Sequence, residues 1–224
     1  MSFRSILDIF REDNWSNNLV EKITEMLDLG SAMFEYTAGV VIEGEPDSDS
    51  QVKLYDRDKR INKLERKIRR RVVTRLSVSG NEADIPSALI FTNVVKDAER
   101  IGDYIKNLHE VGEMMPENPD RALYRDRLAE PAEEIAAIFD QCRQAFVESD
   151  EETAGRVIKR AKALGREFED MIREITTSQL GTQDAVCLVL VLRFFKRLVA
   201  HASNIATTVV MPIDLIDFYD EPDS

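Results

Sequence analysis

In the stretch KDAERIGDYIKNLHE, Lys96 to Glu110, two carboxylates stand four residues apart at Glu99 and Asp103. Apolar positions Val94, Ala98, Ile101, Ile105 and Leu108 advance by three or four residues and define the buried stripe of a helix. At about 100° per residue, Glu99 lies about 100° and Asp103 about 140° from Ala98, so the two acids share a face beside Asn107. Like charges at that spacing cost a helix roughly 0.2–0.5 kcal/mol. Two carboxylates so placed offer oxygens to a hard or borderline cation. The plainer reading is a solvated face, because Lys96, Arg100 and Lys106 are close enough along the helix to form ordinary surface ion pairs.

The elements that carry these acids follow from periodicity and from where Gly and Pro fall. The chain has 224 residues but only 9 Gly and 7 Pro, which leaves room for long helices. Six are expected: about Trp15 to Val41, Gln51 to Ser77, Asp84 to Met115, Arg121 to Glu148, Glu151 to Thr177 and Gln183 to Val210. EGEPDSDS, SVSGNEAD and PENP separate the first four. Asp84 is expected to cap the third helix with Pro86 in its first turn, and Pro131 to kink the fourth. The tail DEPDS is expected to fray.

The helices repeat. A shift of 97 residues lays the sixth helix on the third, pairing Ala88 with Ala185, Arg100 with Arg197 and Asn107 with Asn204. A shift of 104 lays the fifth on the second, pairing Leu54 with Ile158, Glu65 with Glu169, Ile68 with Ile172 and Arg69 with Arg173. The expected fold is therefore all-α, as two tandem three-helix bundles. Residues 1–118 form the first with an N-terminal extension, and residues 119–224 the second with an acidic tail. The repeat preserves Arg100 and Asn107 in the second copy, yet Glu99 and Asp103 become Lys196 and Ala200.

Bulk properties narrow the function. A net charge of −12 opposes binding to nucleic acid. Cys142 and Cys187 both lie in apolar helical settings, which suits a reduced cytoplasmic chain. The longest apolar run, Ala185 to Leu192, is shorter than the roughly 20 residues a membrane span takes. No Gly-rich phosphate loop appears, and neither histidine stands beside a nucleophile in a recognisable motif, so a non-enzyme is expected. His109, His201, Trp15, Phe34 and the Phe194–Phe195 pair read as packing residues.

One segment runs against the overall charge. Arg57 to Arg75 carries +8 and leaves −20 on the rest of the chain. Arg66, Arg69, Arg70 and Arg71 are its candidates for docking an acidic partner, anionic lipid or phosphate, against a simple solvated face.

DAERIGD, followed by IKNLHE, resembles the third-helix signature of the PhoU family of phosphate-signalling proteins. DRDKRINKLERKI resembles that family's second helix, and RFFKRLVAHASNI its second-repeat counterpart. The resemblance spans about residues 15 to 210. It implies two tandem three-helix bundles with transition metal held by Glu-x-x-x-Asp on the third helix of each repeat. Here it implies Glu99 and Asp103 as ligands, with Asp97 as an outer contributor and Asp58 and Glu65 as candidates from the second helix. A lysine ammonium cannot ligate and alanine has no ligand atom, so one site is expected, for iron or zinc. The resemblance further implies a regulator or adaptor of phosphate uptake. Its partner would be a phosphate transporter component or sensor kinase at the cytoplasmic membrane face, and the chain would be a homo-oligomer, first a dimer. An accessory protein of a low-affinity phosphate permease, or a self-associating structural bundle, are the alternatives.

Overall fold

A computed structural model of the chain describes residues 14–44 and 48–217. The expectations for the lead-in MSFRSILDIFRED and the tail DEPDS fall on residues outside that set. Among the described residues the structure is helical throughout: α1 (Asn14–Ile42), α2 (Ser48–Ser79), α3 (Asp84–Met114), α4 (Arg121–Glu148), α5 (Glu151–Thr176) and α6 (Thr182–Val210). A short 3₁₀ turn, Ile213–Leu215, follows. Each bound lies within about three residues of the expected one, as fraying of helix ends allows.

Each helix forms because its apolar residues recur every three or four positions and bury together. In α1 these are Leu19, Ile23, Met26, Met33, Phe34 and Val41; in α2, Leu54, Ile61, Leu64, Ile68 and Val72. Helices α1, α2 and α3 pack on one another, and so do α4, α5 and α6. The two bundles meet chiefly through α3 against α6, with α1 against α4 beside them. One hydrophobic core runs through both. Phe34 on α1 packs edge-on against Phe139 of α4 (5.4 Å) and Phe195 of α6 (5.8 Å), and Phe195 meets Phe168 of α5 at 5.9 Å. Aromatic contacts of this geometry add to the burial itself.

The turns between helices are built from local polar chemistry. The Asp120 side chain accepts from the backbone N–H groups of Ala122 and Leu123, satisfying two orphan donors of α4. Asp150 does the same for α5, directly after Ser149 in the left-handed region at φ 55°. Asp120→Ala is expected to lower stability by about 1 kcal/mol, read as a lower denaturation midpoint at constant denaturant slope.

Asp84 departs from expectation. Ala83 holds the cap position of α3 without a side-chain bond. Asp84 is the first helical residue, and its Oδ2 accepts from Arg75 Nε at 2.7 Å. A buried carboxylate at the positive end of a helix and opposite a guanidinium is favoured by both. Pro131 lies inside α4, which remains one helix through it.

Cys142 and Cys187 are buried and free. No helix among the described residues is long and apolar enough to cross a membrane.

Candidate functional site

The acids of α3 come together with acids of α2 because those two helices approach closely. A Cβ added at Gly102 would stand 3.2 Å from Ile61 Cδ1, tighter than a normal contact. Gly102 lies between Glu99 and Asp103 on α3, and Ile61 between Asp58 and Glu65 on α2. The absent side chain is what lets the two acid-bearing turns meet.

Glu99 and Asp103 are less exposed than their angle to the core stripe implies. Their side chains are only 17% and 29% accessible, because α2 covers the face they share. Burial, then the neighbouring charges of Asp103 and Glu65, push the Glu99 carboxyl up to about 7. Glu65 is itself 15% accessible and pairs with Arg69 at 2.8 Å.

Two cations brace this face. Arg100 Nη1 donates to Asp103 Oδ2 at 3.1 Å, and its Nε stands 3.7 Å from Glu99 Oε2. Lys106 Nζ bridges Asp103 Oδ1 (3.3 Å) and Asp58 (3.3 and 3.4 Å). Burial pulls the Lys106 ammonium down, but Asp58 and Asp103 outweigh it and hold it above its usual value. Asp58 thus joins the cluster through Lys106, a bridging role that spacing along one helix does not reveal.

Asp97 does not join them. It lies two residues before Glu99, about 200° around the helix, and is buried against the other bundle. His201 Nδ1 lies 2.7 Å from Asp97 Oδ1, and Asn204 Nδ2 donates to the same oxygen at 3.4 Å. His201 also stacks on Tyr104, ring centres 5.4 Å apart. Asp97 therefore ties α3 to α6 instead of contributing to a metal face. Sequence reasoning placed His201 among the packing residues, and its contact with Asp97 follows only from the packing of α3 on α6.

His109 is a packing residue. It is buried, neither ring nitrogen has a hydrogen-bond partner among the described residues, and burial holds its imidazole below the ordinary value.

The arginines of α2 divide. Arg66 donates to the Asn62 carbonyl at 3.1 Å, and Arg69 pairs with Glu65 on the acid face. Arg70 and Arg71 line a separate groove of about 820 Å³ with Trp15, Lys67 and Val78.

In the second repeat, Lys196 bonds to Glu169, the counterparts of Glu99 and Glu65. Where the first repeat sets acid against acid, the second has an ion pair that holds the Glu169 carboxyl below its usual range. That site is neutralised internally.

The PhoU domain matches residues 23–111 and again residues 128–209. The chain belongs to the PhoU family. Both matches fall on the helical repeats seen here, one per bundle. The phosphate-specific transport system accessory protein PhoU homolog of Synechocystis sp. is 25% identical over 166 residues, 72% of this chain and 73% of that protein. The PhoU homolog 1 of Thermotoga maritima is 33% identical over 117 residues, 46% of this chain and 50% of the relative. The fold matches the crystal structure of PhoU from Pseudomonas aeruginosa with a TM-score of 0.76 at 21% identity, over 90% of this chain and 97% of the other.

The family implies transition metal, and the acid face can be tested for it. Its donors are carboxylate oxygens, which suit a hard or borderline cation; burial first, then the charges of Asp103 and Glu65, raise the Glu99 carboxyl, and a cation would offset the repulsion among the three acids. Among the described residues, no three His, Cys, Asp or Glu side chains are already gathered into a metal-holding set. Asp103 is instead engaged by Arg100 and Lys106. The donor chemistry fits, on condition that these two cations swing away.

Proposed function

We propose that this PhoU-family chain is a non-enzymatic accessory protein of phosphate uptake. It would bind transition metal on the first-repeat acid face and restrain a transporter component or sensor kinase at the cytoplasmic membrane face. The named relatives support the phosphate context. The observation that carries the metal reading is the convergence of Glu65, Glu99 and Asp103 from two helices, with Glu99 pushed up to about 7 by burial and by the other acids.

Glu99, Asp103 and Glu65 would hold the metal, with Asp58 behind them. When bound, iron or zinc supplies concentrated positive charge and open coordination positions for a partner's carboxylates. Arg100 and Lys106 keep the acid face intact without metal, and on release from Asp103 they become free to pair with an acidic partner. Self-association as a dimer belongs to the same reading.

The competing reading is a helical scaffold whose acids are only paired charge, and Asp103 bonded to two cations favours it. Elemental analysis of protein prepared without tag or chelator separates the two. Metal in the parent and none in Glu99→Gln/Asp103→Asn is the expected outcome. Two equally folded proteins, both free of metal, would leave the scaffold.

A further inference from the structure

The positive charge of α2 divides into engaged and unengaged groups. Arg60 pairs with Glu25, Arg69 with Glu65 and Arg75 with Asp84. Lys63, Lys67, Arg70 and Arg71 are exposed and make no ion pair or hydrogen bond among the described residues. At about 100° per residue, these four share one face of the helix with Thr74 and Val78, all within about 60° of Lys67. That face borders α1 at the groove of about 820 Å³, where Lys22 stands across from Lys67, Arg70 and Arg71, and Trp15 and Val78 supply apolar wall. None of the described residues that line it is acidic. Arg75, held by Asp84, lies over the Trp15 ring at 5.5 Å and fixes that wall.

The adjoining end of the bundle is apolar. The last turns of α2 and the first turns of α3 meet there, joined by residues 80–83, and Val73, Val78, Ile85 and Leu89 are exposed on them. They are four of the eight large apolar side chains exposed among the described residues, so bare apolar surface concentrates at this end. An acidic protein surface would satisfy the cations but leave those side chains in water. A bilayer of anionic lipid satisfies both, being charged outside and apolar beneath. Repulsion from acids elsewhere on the chain is screened beyond about 8 Å at physiological salt. The second repeat lacks the feature. By the shift of 104, Lys63, Lys67 and Arg70 become Glu167, Met171 and Glu174. The groove beside these is lined by five acids against two arginines, so only the first bundle is attracted.

We infer that the face of α2 from Lys63 to Val78 docks on an anionic lipid bilayer. Lys63, Lys67, Arg70 and Arg71 meet headgroup phosphates, Val78 enters the interface, and the groove against α1 admits a headgroup. This goes beyond the metal reading, since docking on lipid needs neither the acid face nor a protein partner.

The test is sedimentation of the whole chain with vesicles containing phosphatidylglycerol, beside vesicles of phosphatidylcholine alone. Partition on the anionic vesicles at low salt, lost at about 0.5 M salt and absent on neutral vesicles, is expected. Lys67→Gln/Arg70→Gln/Arg71→Gln changes only exposed side chains and should weaken partition about a hundredfold, at about fivefold per charge. Val78→Ser should weaken it about fivefold. Glu99→Gln/Asp103→Asn should partition as the parent does, so loss of metal and loss of lipid are read separately. Inorganic phosphate at constant ionic strength should not displace the protein. Absence of partition on anionic vesicles, equal partition on neutral ones, displacement by inorganic phosphate, or an unaffected triple variant would each overturn the assignment. So would a triple variant that alters self-association and leaves vesicle binding intact, which would give this face to a second copy of the chain.

Discussion

Asp97→Ala is expected to lower the unfolding free energy by about 3 kcal/mol, one of the largest single-residue effects on this chain. Asp97 is buried at the α3–α6 contact, where one oxygen faces His201 Nδ1 at 2.7 Å and Asn204 Nδ2 at 3.4 Å. The Lys96 ammonium stands 3.7 Å from the other oxygen, too far for a hydrogen bond but near enough to offset charge. Alanine removes the shared acceptor and strands two polar side chains between the bundles. Asparagine keeps an acceptor at the same place, so Asp97→Asn should cost about 1 kcal/mol. Urea midpoints for the three proteins, at equal denaturant slopes, give the comparison. If alanine costs no more than asparagine, the contact between bundles does not rest on Asp97.

Glu99→Gln should remove the pH dependence that the Glu99 carboxyl contributes. The Glu99 carboxyl sits at about 7 in the folded chain against an ordinary 4.5, so the native state holds its proton more tightly than the unfolded state does. The stability it contributes is full below about pH 4.5, falls as pH rises through about 7, and stays lost above. With the side chain 17% accessible, that loss amounts to about 2–3 kcal/mol. Glutamine does not titrate. The variant should therefore be more stable than the parent by about 2 kcal/mol at pH 8 and should lose that advantage by pH 5. Protons and metal compete for the same carboxylate, so metal affinity in the parent should fall as pH drops below about 7. Thermal midpoints of parent and variant from pH 4 to 9 read the first effect. Parallel curves would mean that Glu99 is not strained by Asp103 and Glu65.

Helical content, the near-positions of six helices and the two-fold repeat were all legible in the residues. Each depends on periods of three and four along one chain segment, and on where Pro, Gly and capping acids interrupt them. The shared face of Glu99 and Asp103 was legible for the same reason, since rotation per residue within one helix is fixed by backbone geometry. That periodicity does not say what lies across from a face. The contact of Gly102 with Ile61 decides that α2 covers Glu99 and brings Glu65 to it. The close packing of α3 on α6 decides that Asp97, two residues from Glu99, serves the opposite bundle. Asp84 turned to Arg75 instead of capping its helix because a guanidinium from the preceding helix was within reach. In the second repeat, the letters alone showed two lost acids. Only the packing of α5 on α6 shows Lys196 closed on Glu169. Partners across helices are chosen by side-chain volume at the crossing, which is a property of two segments together and is written in neither one.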